Sequence, residues 1–461
     1  MKTLSIREVV GAVQGKYSCS EFDILIKGVS TDSRTIREDE LFVPLVGPNF
    51  DGHDFIREAL EKGAVAVLCD DSKKMKVEGL PEKKIIFVDN TQLALLRLAA
   101  YYRSLFDLPF IAVTGSVGKT TTKEMIAAIL KTRFKVLKTP GNLNNEIGLP
   151  LTIFQLDEGY DIGVVEMGMS GFGEIRRLAN VVKPRVAVIT NIGISHIEKL
   201  GSKENIARAK MEILEPLTKE DIAVLNADSK ELWSEREKVI TKTVFFGRER
   251  GDIRAKNIVS KNDGIKFDIY GRYGEMTFKI SLPGIHNVSN ALAAIAVGFE
   301  MGLTREEIQM GLKNLKLPEM RLQFKKSFFG AEIIDDAYNA SPDSMKAALD
   351  LLFQRGQGKK KAAVLGDMLE LGSFSEKAHF EIGEYAAKRA DKIIAIGNFS
   401  ESIKEGALEG KIDPTCVYTF PTVKMALSEV INLVEDCDII LVKASRGMKL
   451  EQITQLLVGR S

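Results

Sequence analysis

Short apolar runs separated by helical patterns organise the middle of the chain: Phe110 to Thr114, Val136 to Lys138, Ile162 to Glu166, Val186 to Thr190 and Ile222 to Asn226. Met125, Ile126, Ile129 and Leu130 fall on one face at helical spacing after the first run. Strands that are apolar throughout, alternating with helices, predict a mostly parallel sheet covered on both faces. From Thr241 to Ile280, glycines at 247, 251, 264, 271 and 274 punctuate short β-type runs, which predicts appended antiparallel hairpins. A helix follows Pro283-Gly284, with Val288, Ala291, Leu292, Ile295 and Phe299 on one stripe. Before Pro109, short strands and loops lead to helical patterns at Ile56 to Lys62 and Leu93 to Leu105, with strands at Ala64 to Leu68 and Ile85 to Val88. After Lys316-Leu317-Pro318 a new alternation carries strands at Glu332 to Ile334, Ala362 to Leu365, Ile393 to Ile396 and Ile439 to Val442. The expected domains are 1–107, 108–317 and 318–461, all α/β.

Composition agrees and narrows the partners. A chain of 461 residues corresponds to roughly three domains at about 150 residues each. Lys+Arg 64 against Asp+Glu 63 gives a net charge of +1, which offers no electrostatic footprint for nucleic acid or a membrane surface. Cys19, Cys69, Cys416 and Cys437 lie far apart, arguing against a disulfide framework or a zinc site. There is no apolar run of membrane-spanning length and no apolar signal-peptide core after Met1. The expectation is a soluble cytoplasmic protein that handles small molecules, without nucleic acid and without membrane insertion.

The chemistry starts at Gly115-Ser116-Val117-Gly118-Lys119-Thr120-Thr121-Thr122, where the Phe110 strand must turn into a helix. Unpaired amides at a helix start, with the dipole behind them, bind phosphate. Lys119 is placed to reach the terminal phosphates and Thr120 a magnesium ion. The loop is shorter than the usual pattern, with Val113 where a glycine is expected. Parallel sheets bind ligands beyond the carboxyl ends of their strands, and Glu166 and the loop Asn191 to His196 share that edge with the phosphate loop. Lys210 shares a helical stripe with Ile206, Ile213, Leu214 and Leu217. Its stem either packs while the ammonium reaches water, or the buried amine takes up carbon dioxide and becomes an anionic carbamate ligand. Asn287 and Asn290 either cap and solvate their helix or read a base edge with amides that both donate and accept. Thr31 to Arg34 and Asp51 to Asp54 have turn composition.

Taken together, Thr114 to Glu124, Thr139 to Gly148, Glu166-Met167-Gly168, Asn191-Ile192-Gly193 with His196, and Gly284 to Asn290 resemble the Mur ligases across all three domains. The N-terminal Asp32-Ser33-Arg34 and Asp51-Gly52-His53 pair is similar to that of the members acting third and fourth on the growing peptide. Asp335 to Pro342, Leu365 to Gly372 and Lys443 to Gly447 are similar to the last-acting member, and the Asp-Asn-Pro-Arg motif of the diaminopimelate-adding relative is missing. Ser341 stands where the family usually has Asn, and Ala444 where it has Gly.

The resemblance implies a central P-loop mononucleotide-binding parallel sheet, a Rossmann-like C-terminal domain and a small N-terminal domain for the UDP-substrate. The implied reaction is ATP-dependent: D-alanyl-D-alanine is joined to UDP-N-acetylmuramoyl-tripeptide through an acyl phosphate, in peptidoglycan precursor synthesis. It assigns ATP to Gly115, Ser116, Val117, Gly118, Lys119, Thr120 and Thr121, adenine to Asn287 and Asn290, and ribose and phosphates to Arg321 and Asp336. Two Mg2+ ions are implied, one on Thr120 and Glu166, the other on His196 and carbamylated Lys210. Lys119, His196 and Lys210 are the implied catalytic residues. Thr31, Ser33, Arg34, Asp51, Gly52 and His53 would serve the UDP-sugar, Asn144 and Asn145 the muramoyl peptide, and Tyr338, Asn339, Ser445 and Arg446 the dipeptide. A monomer is expected, with a C-terminal domain that swings shut on nucleotide. A ligase adding a single amino acid, a folylpolyglutamate-type ligase and a nucleotide switch are the competing readings. A switch has no need of His196, Lys210 or a third α/β domain.

Overall fold

The computed structural model describes residues 1–20, 22–261 and 264–459. Its centre is a nine-stranded sheet in the order Val136–Lys138, Ile162–Glu166, Phe110–Thr114, Val186–Ile189, Ile222–Asn226, Lys242–Gly247, Ile253–Lys261, Gly264–Gly271, Met276–Ile280. The first seven strands are parallel and the last two antiparallel. Alternate residues of the apolar runs feed opposite faces. Ile111 and Val113 pack with Ile126, Ile129, Val288 and Ile295 beneath the helices Lys119–Leu130 and His286–Glu300, whereas Phe110 and Ala112 belong to the core on the other side with Leu178.

The expected hairpins occupy only part of their segment. Lys242–Gly247 pairs in parallel with Ile222–Asn226, so it extends the central sheet, and the antiparallel ribbon consists of Ile253–Lys261, Gly264–Gly271 and Met276–Ile280. The change of strand is made where Phe246 and Gly247 pair with Ile253 and Arg254. A two-residue overlap needs no helical crossover, and 248–252 suffices as the connection.

The N-terminal region holds a four-stranded parallel sheet, Gly28–Ser30, Glu40–Phe42, Ala66–Asp70 and Ile85–Val88. Its opening is not confined to short strands and loops, because Ile6–Val13 is a helix. Ser5 accepts from the Glu8 amide while Glu8 reaches back to the Ser5 amide, and Ile6, Val9 and Val13 are buried. The C-terminal sheet runs Gln323–Lys326, Glu332–Asp335, Ile439–Lys443, Lys361–Gly366, Lys392–Ile396, Val417–Phe420, parallel except for its first pair. Its two edge strands, 323–326 and 417–420, add to the four expected from sequence. Because Ile439–Lys443 inserts between Glu332–Asp335 and Lys361–Gly366, the loops after these three strands converge at one edge. Among the described residues no helix is long and apolar enough to cross a membrane.

Candidate active site

The phosphate loop leaves its strand at Gly115, with φ +147°, and enters its helix at Gly118, with φ +83°. Both glycines are required. A Cβ at Gly115 would collide with Thr190 Oγ1, and one at Gly118 with Asn290 Oδ1, in addition to the left-handed backbone strain at each position. The neighbouring strand-end loop holds the turn in place. Ser116 N donates to Asn191 O (3.1 Å), Val117 N to Asn191 Oδ1 (2.9 Å), Thr190 Oγ1 to Val117 O (2.6 Å) and Gly193 N to Ser116 Oγ (2.8 Å). Asn191, which opens the strand-end loop read from sequence without a role of its own, is what braces the phosphate loop.

Lys119 folds back onto the loop, donating to Gly115 O (2.8 Å) and Ser116 O (3.4 Å). Burial holds its ammonium below the ordinary lysine range, Glu166 opposes that shift and Arg321 reinforces it. Thr120 Oγ1 donates to Glu166 Oε2 (2.8 Å), while Asn144 Nδ2 fixes Glu166 Oε1 (2.7 Å). The Glu166 amide donates to Thr139 Oγ1 (3.0 Å).

Lys210 is 1% exposed. Burial, followed by repulsion from Lys119, drives its amine well below the ordinary lysine range. It does not reach solvent, so the packed-stem reading fails for this lysine. His196 sits in the left-handed region (φ +63°) at the start of the short helix Ile197–Leu200. Its Nδ1 approaches Glu370 Oε2 of the C-terminal region at 2.5 Å, yet outside hydrogen-bond geometry, so this buried nitrogen has no hydrogen-bond partner.

Lys119, Thr120, Glu166 and His196 open onto a cavity of about 810 Å³ between the central and C-terminal sheets, whereas Lys210 is not in its lining. Residues 116–121, Asn144, Asn145, Glu166, His196, Asn290, Arg321, Asp336, Tyr338, Asn339, Ser445 and Arg446 all line it. Gly115 contributes its carbonyl to Lys119 from behind. Asn287 is not in the lining. It is fully buried, donates to Pro283 O (2.7 Å) and accepts from Asn290 Nδ2 (3.0 Å), while Asn290 Oδ1 accepts from Thr122 Oγ1 (3.3 Å). The pair neither solvates the helix end nor shares one role: Asn290 faces the cavity and Asn287 holds it there.

Several residues are more committed to the scaffold than their sequence context implied. Asn145 Oδ1 accepts from the Ile147 and Gly148 amides at a helix start. Ser445 Oγ donates to Ala340 O (3.4 Å) and accepts from Leu369 N (2.9 Å), stitching the converging C-terminal loops. Arg321 stacks over the Tyr338 ring at 4.1 Å, and Arg446 pairs with Glu451 at 3.0 Å. Lys443, a residue the sequence reading left without a role, is 2% exposed and binds the Asp336 carboxylate and Asn339 O (3.0 Å). His286 also lines the cavity, and burial pushes its imidazole down to about 4, against the pull of Asp336.

Thr31, Ser33, Arg34, Asp51, Gly52 and His53 are absent from this cavity lining. Thr31, Ser33 and Arg34 follow the strand Gly28–Ser30, whereas Asp51 ends the short strand Phe50–Asp51 and Gly52 and His53 open the 3-10 helix Gly52–Phe55. Arg34 is held bidentately by Asp32, Ser33 Oγ donates to Glu58 (3.3 Å), and Asp51 accepts from the His53 amide and ring Nδ1. His53 is 1% exposed and accepts the Asp70 amide at Nε2. The turn reading of Asp51 to Asp54 therefore describes the local structure, with His53 inside it.

The donors suit a hard divalent cation. Thr120 Oγ1 and Glu166 Oε2 are hard oxygen atoms 2.8 Å apart, and His196 Nδ1 is a buried nitrogen without a hydrogen-bond partner. Lys210 is a buried amine whose ammonium form is disfavoured, as carbamate formation requires.

Comparison with known proteins agrees with this arrangement. The Mur ligase family catalytic domain matches residues 25–103, the Mur ligase middle domain 113–298, and the Mur ligase glutamate ligase domain 320–446. The chain is 42% identical over 457 residues to the UDP-N-acetylmuramoyl-tripeptide–D-alanyl-D-alanine ligase of Bacillus subtilis, covering 98% of each. It is 36% identical to the Escherichia coli enzyme of the same name, covering 94% of each. A crystal structure of MurF from Acinetobacter baumannii superposes with a TM-score of 0.89 at 32% identity over the whole of both chains. MurF ligase from Thermotoga maritima in complex with ADP gives 0.82 at 31%, covering 93% of this chain and 96% of that one. With matching models in all three regions and end-to-end relatives above 30% identity, the chain belongs to the Mur ligase family.

Proposed function

We propose that the chain joins D-alanyl-D-alanine to UDP-N-acetylmuramoyl-tripeptide at the expense of ATP, releasing ADP and phosphate, as a monomer in the cytoplasm. Residues 1–107 would bind the UDP-sugar, 108–317 the phosphates of ATP, and 318–461 the dipeptide. The reading rests on the convergence of Lys119, Thr120, Glu166 and His196 with Arg321, Asp336, Tyr338 and Asn339 on one cavity. A switch would need Lys119, Thr120 and Glu166 alone.

A carboxylate resists attack by an amine because its charge repels the nucleophile and its oxygen leaves poorly. Transfer of the γ-phosphoryl group from ATP to the tripeptide carboxylate removes both obstacles. Lys119 and the amides of 115–121 hold the phosphates, and Arg321 and Asp336 close on ribose and phosphates from the other wall, so the work is positioning and charge neutralisation. Asn290, held by Asn287, faces adenine. Two magnesium ions, one on Thr120 and Glu166 and one on His196 and a carbamylated Lys210, would neutralise phosphate charge beside the carboxylate. The uncharged Lys210 amine forms that carbamate by adding to carbon dioxide and releasing a proton. Asn144 orients Glu166 and borders the peptide, alongside Asn145. The neutral amine of the dipeptide, guided by Tyr338, Asn339, Ser445 and Arg446, then attacks the acyl phosphate carbonyl, and the tetrahedral adduct expels phosphate. Enclosure between the two sheets keeps water from the acyl phosphate.

ADP release should require both UDP-N-acetylmuramoyl-tripeptide and D-alanyl-D-alanine, with no turnover when diaminopimelate, lysine or glutamate replaces the dipeptide. Turnover with a single amino acid, or none with the dipeptide, would overturn the assignment.

A further inference from the structure

We infer that Glu370 is an interdomain ligand for the cation held by His196, so that docking of the C-terminal domain and occupancy of that metal site depend on each other. The inference deepens the two-ion reading above and rests on it. Glu370 belongs to the C-terminal domain and crosses to the central one, where Oε2 lies 2.5 Å from His196 Nδ1. The pair is a close ion contact that misses hydrogen-bond geometry at Nδ1. An imidazole nitrogen and a carboxylate oxygen this close, off the hydrogen-bond line, are two lone-pair donors that one electrophile can hold together. A hard divalent ion accepts both.

The backbone on both sides is arranged for this meeting. His196 and Glu370 each sit in the left-handed region at φ +63°, uncommon for residues with a Cβ. Such conformations cost free energy and persist where the surroundings enforce them. Gly372, also at positive φ, lies against Glu198, where a Cβ would stand 2.8 Å from Glu198 Cγ. The turn carrying Glu370 is thus seated on the short helix that begins at His196. Ser445 Oγ fixes that turn from the other side through the Leu369 amide. The site also connects to the phosphate loop, since Gly193, three residues before His196, exchanges hydrogen bonds with Ser116. The half-exposed Glu370 carboxylate has no role in packing a core. Its position opposite His196 is accounted for by a ligand shared across the domain boundary.

The test measures Mn2+ binding by electron paramagnetic resonance, with a non-hydrolysable ATP analogue and UDP-N-acetylmuramoyl-tripeptide present, on the full chain and on Glu370→Gln and Glu370→Asp. X-ray scattering is recorded on the same samples. The full chain should bind two Mn2+ ions. Glu370→Gln should weaken the second at least tenfold, leave the first unchanged and give a more open particle, and Glu370→Asp should recover part of both effects. Two ions bound with equal affinity in the full chain and Glu370→Gln would overturn the role of Glu370 while leaving the two-ion reading intact. One ion in the full chain would overturn both. Weaker metal binding with unchanged scattering would overturn the coupling to docking.

Discussion

Replacing Gly118 by alanine tests whether Asn290 shapes the nucleotide site. The new Cβ meets two obstacles. A φ of +83° costs an L-residue about 1–2 kcal/mol. The methyl group must also displace Asn290 Oδ1, which disturbs the Thr122–Asn290 bond at 3.3 Å and the Asn290–Asn287 bond at 3.0 Å, each worth about 0.5–1.5 kcal/mol. The sum is roughly 2–5 kcal/mol. Gly302 is the control, because its φ of +78° is nearly the same and a Cβ there meets nothing within 4 Å. Gly302→Ala should therefore carry only the backbone strain, about 1–2 kcal/mol, and leave nucleotide binding unchanged. Calorimetric titration with the non-hydrolysable ATP analogue should show Gly118→Ala binding about tenfold or more weakly, since about 1.4 kcal/mol is a factor of ten. Its thermal midpoint should lie below that of Gly302→Ala. Equal thermal midpoints and unchanged nucleotide affinity in the two variants would refute the contact between the loop and Asn290.

Three further outcomes are expected. Lys119→Ala should abolish phosphoryl transfer, followed as ADP release, while calorimetry shows UDP-substrate binding retained; equal loss of both would mean that the N-terminal domain does not hold that substrate independently. Lys443→Met leaves the Asp336 carboxylate without its ammonium, so KM for ATP and for the dipeptide should rise together while affinity for the UDP-substrate stays constant, and a rise in only one KM would exclude a shared anchor. His286, desolvated and lowered to about 4 from 6.5, binds fewer protons in the folded than in the unfolded chain between those values, so its contribution to stability falls as pH drops from about 6.5 toward 4; the thermal midpoint of the parent relative to His286→Gln should fall across that range, and parallel curves would contradict the neutral assignment.

Much of the fold is legible in the apolar runs because a parallel strand buried on both faces leaves no polar interruption. Phe110–Thr114, Ile162–Glu166 and Ile222–Asn226 coincide with their runs. Pairing direction is a different kind of information. Lys242–Gly247 looks like a hairpin strand by its glycines, yet tertiary contacts make it parallel. The helix Ile6–Val13 had a local signature in Ser5 and Glu8 that the strand-like opening obscured. At the site, residue type and position after a strand point to Lys119, Thr120, Glu166 and His196. They do not reveal how a side chain is spent. Asn287 and Asn290 are alike in sequence and differ in what they touch, and Ser445 is engaged by two backbone groups from other loops. Glu370 lies inside the Leu365 to Gly372 match, yet nothing local marks its approach to His196, which is made from a separate sheet.

The partnership of Thr122 with Asn290 spans 168 positions of the chain. During synthesis the phosphate loop therefore leaves the ribosome long before the helix that seats it, and Arg321 and Lys443 emerge later still. A nascent chain that ends ahead of Asn290 carries the nucleotide-binding sequence without the neighbour that fits against Gly118. ATP capture would thus be deferred until the central domain is whole, and dipeptide capture until the last strands are made, so an unfinished chain has no means to spend ATP.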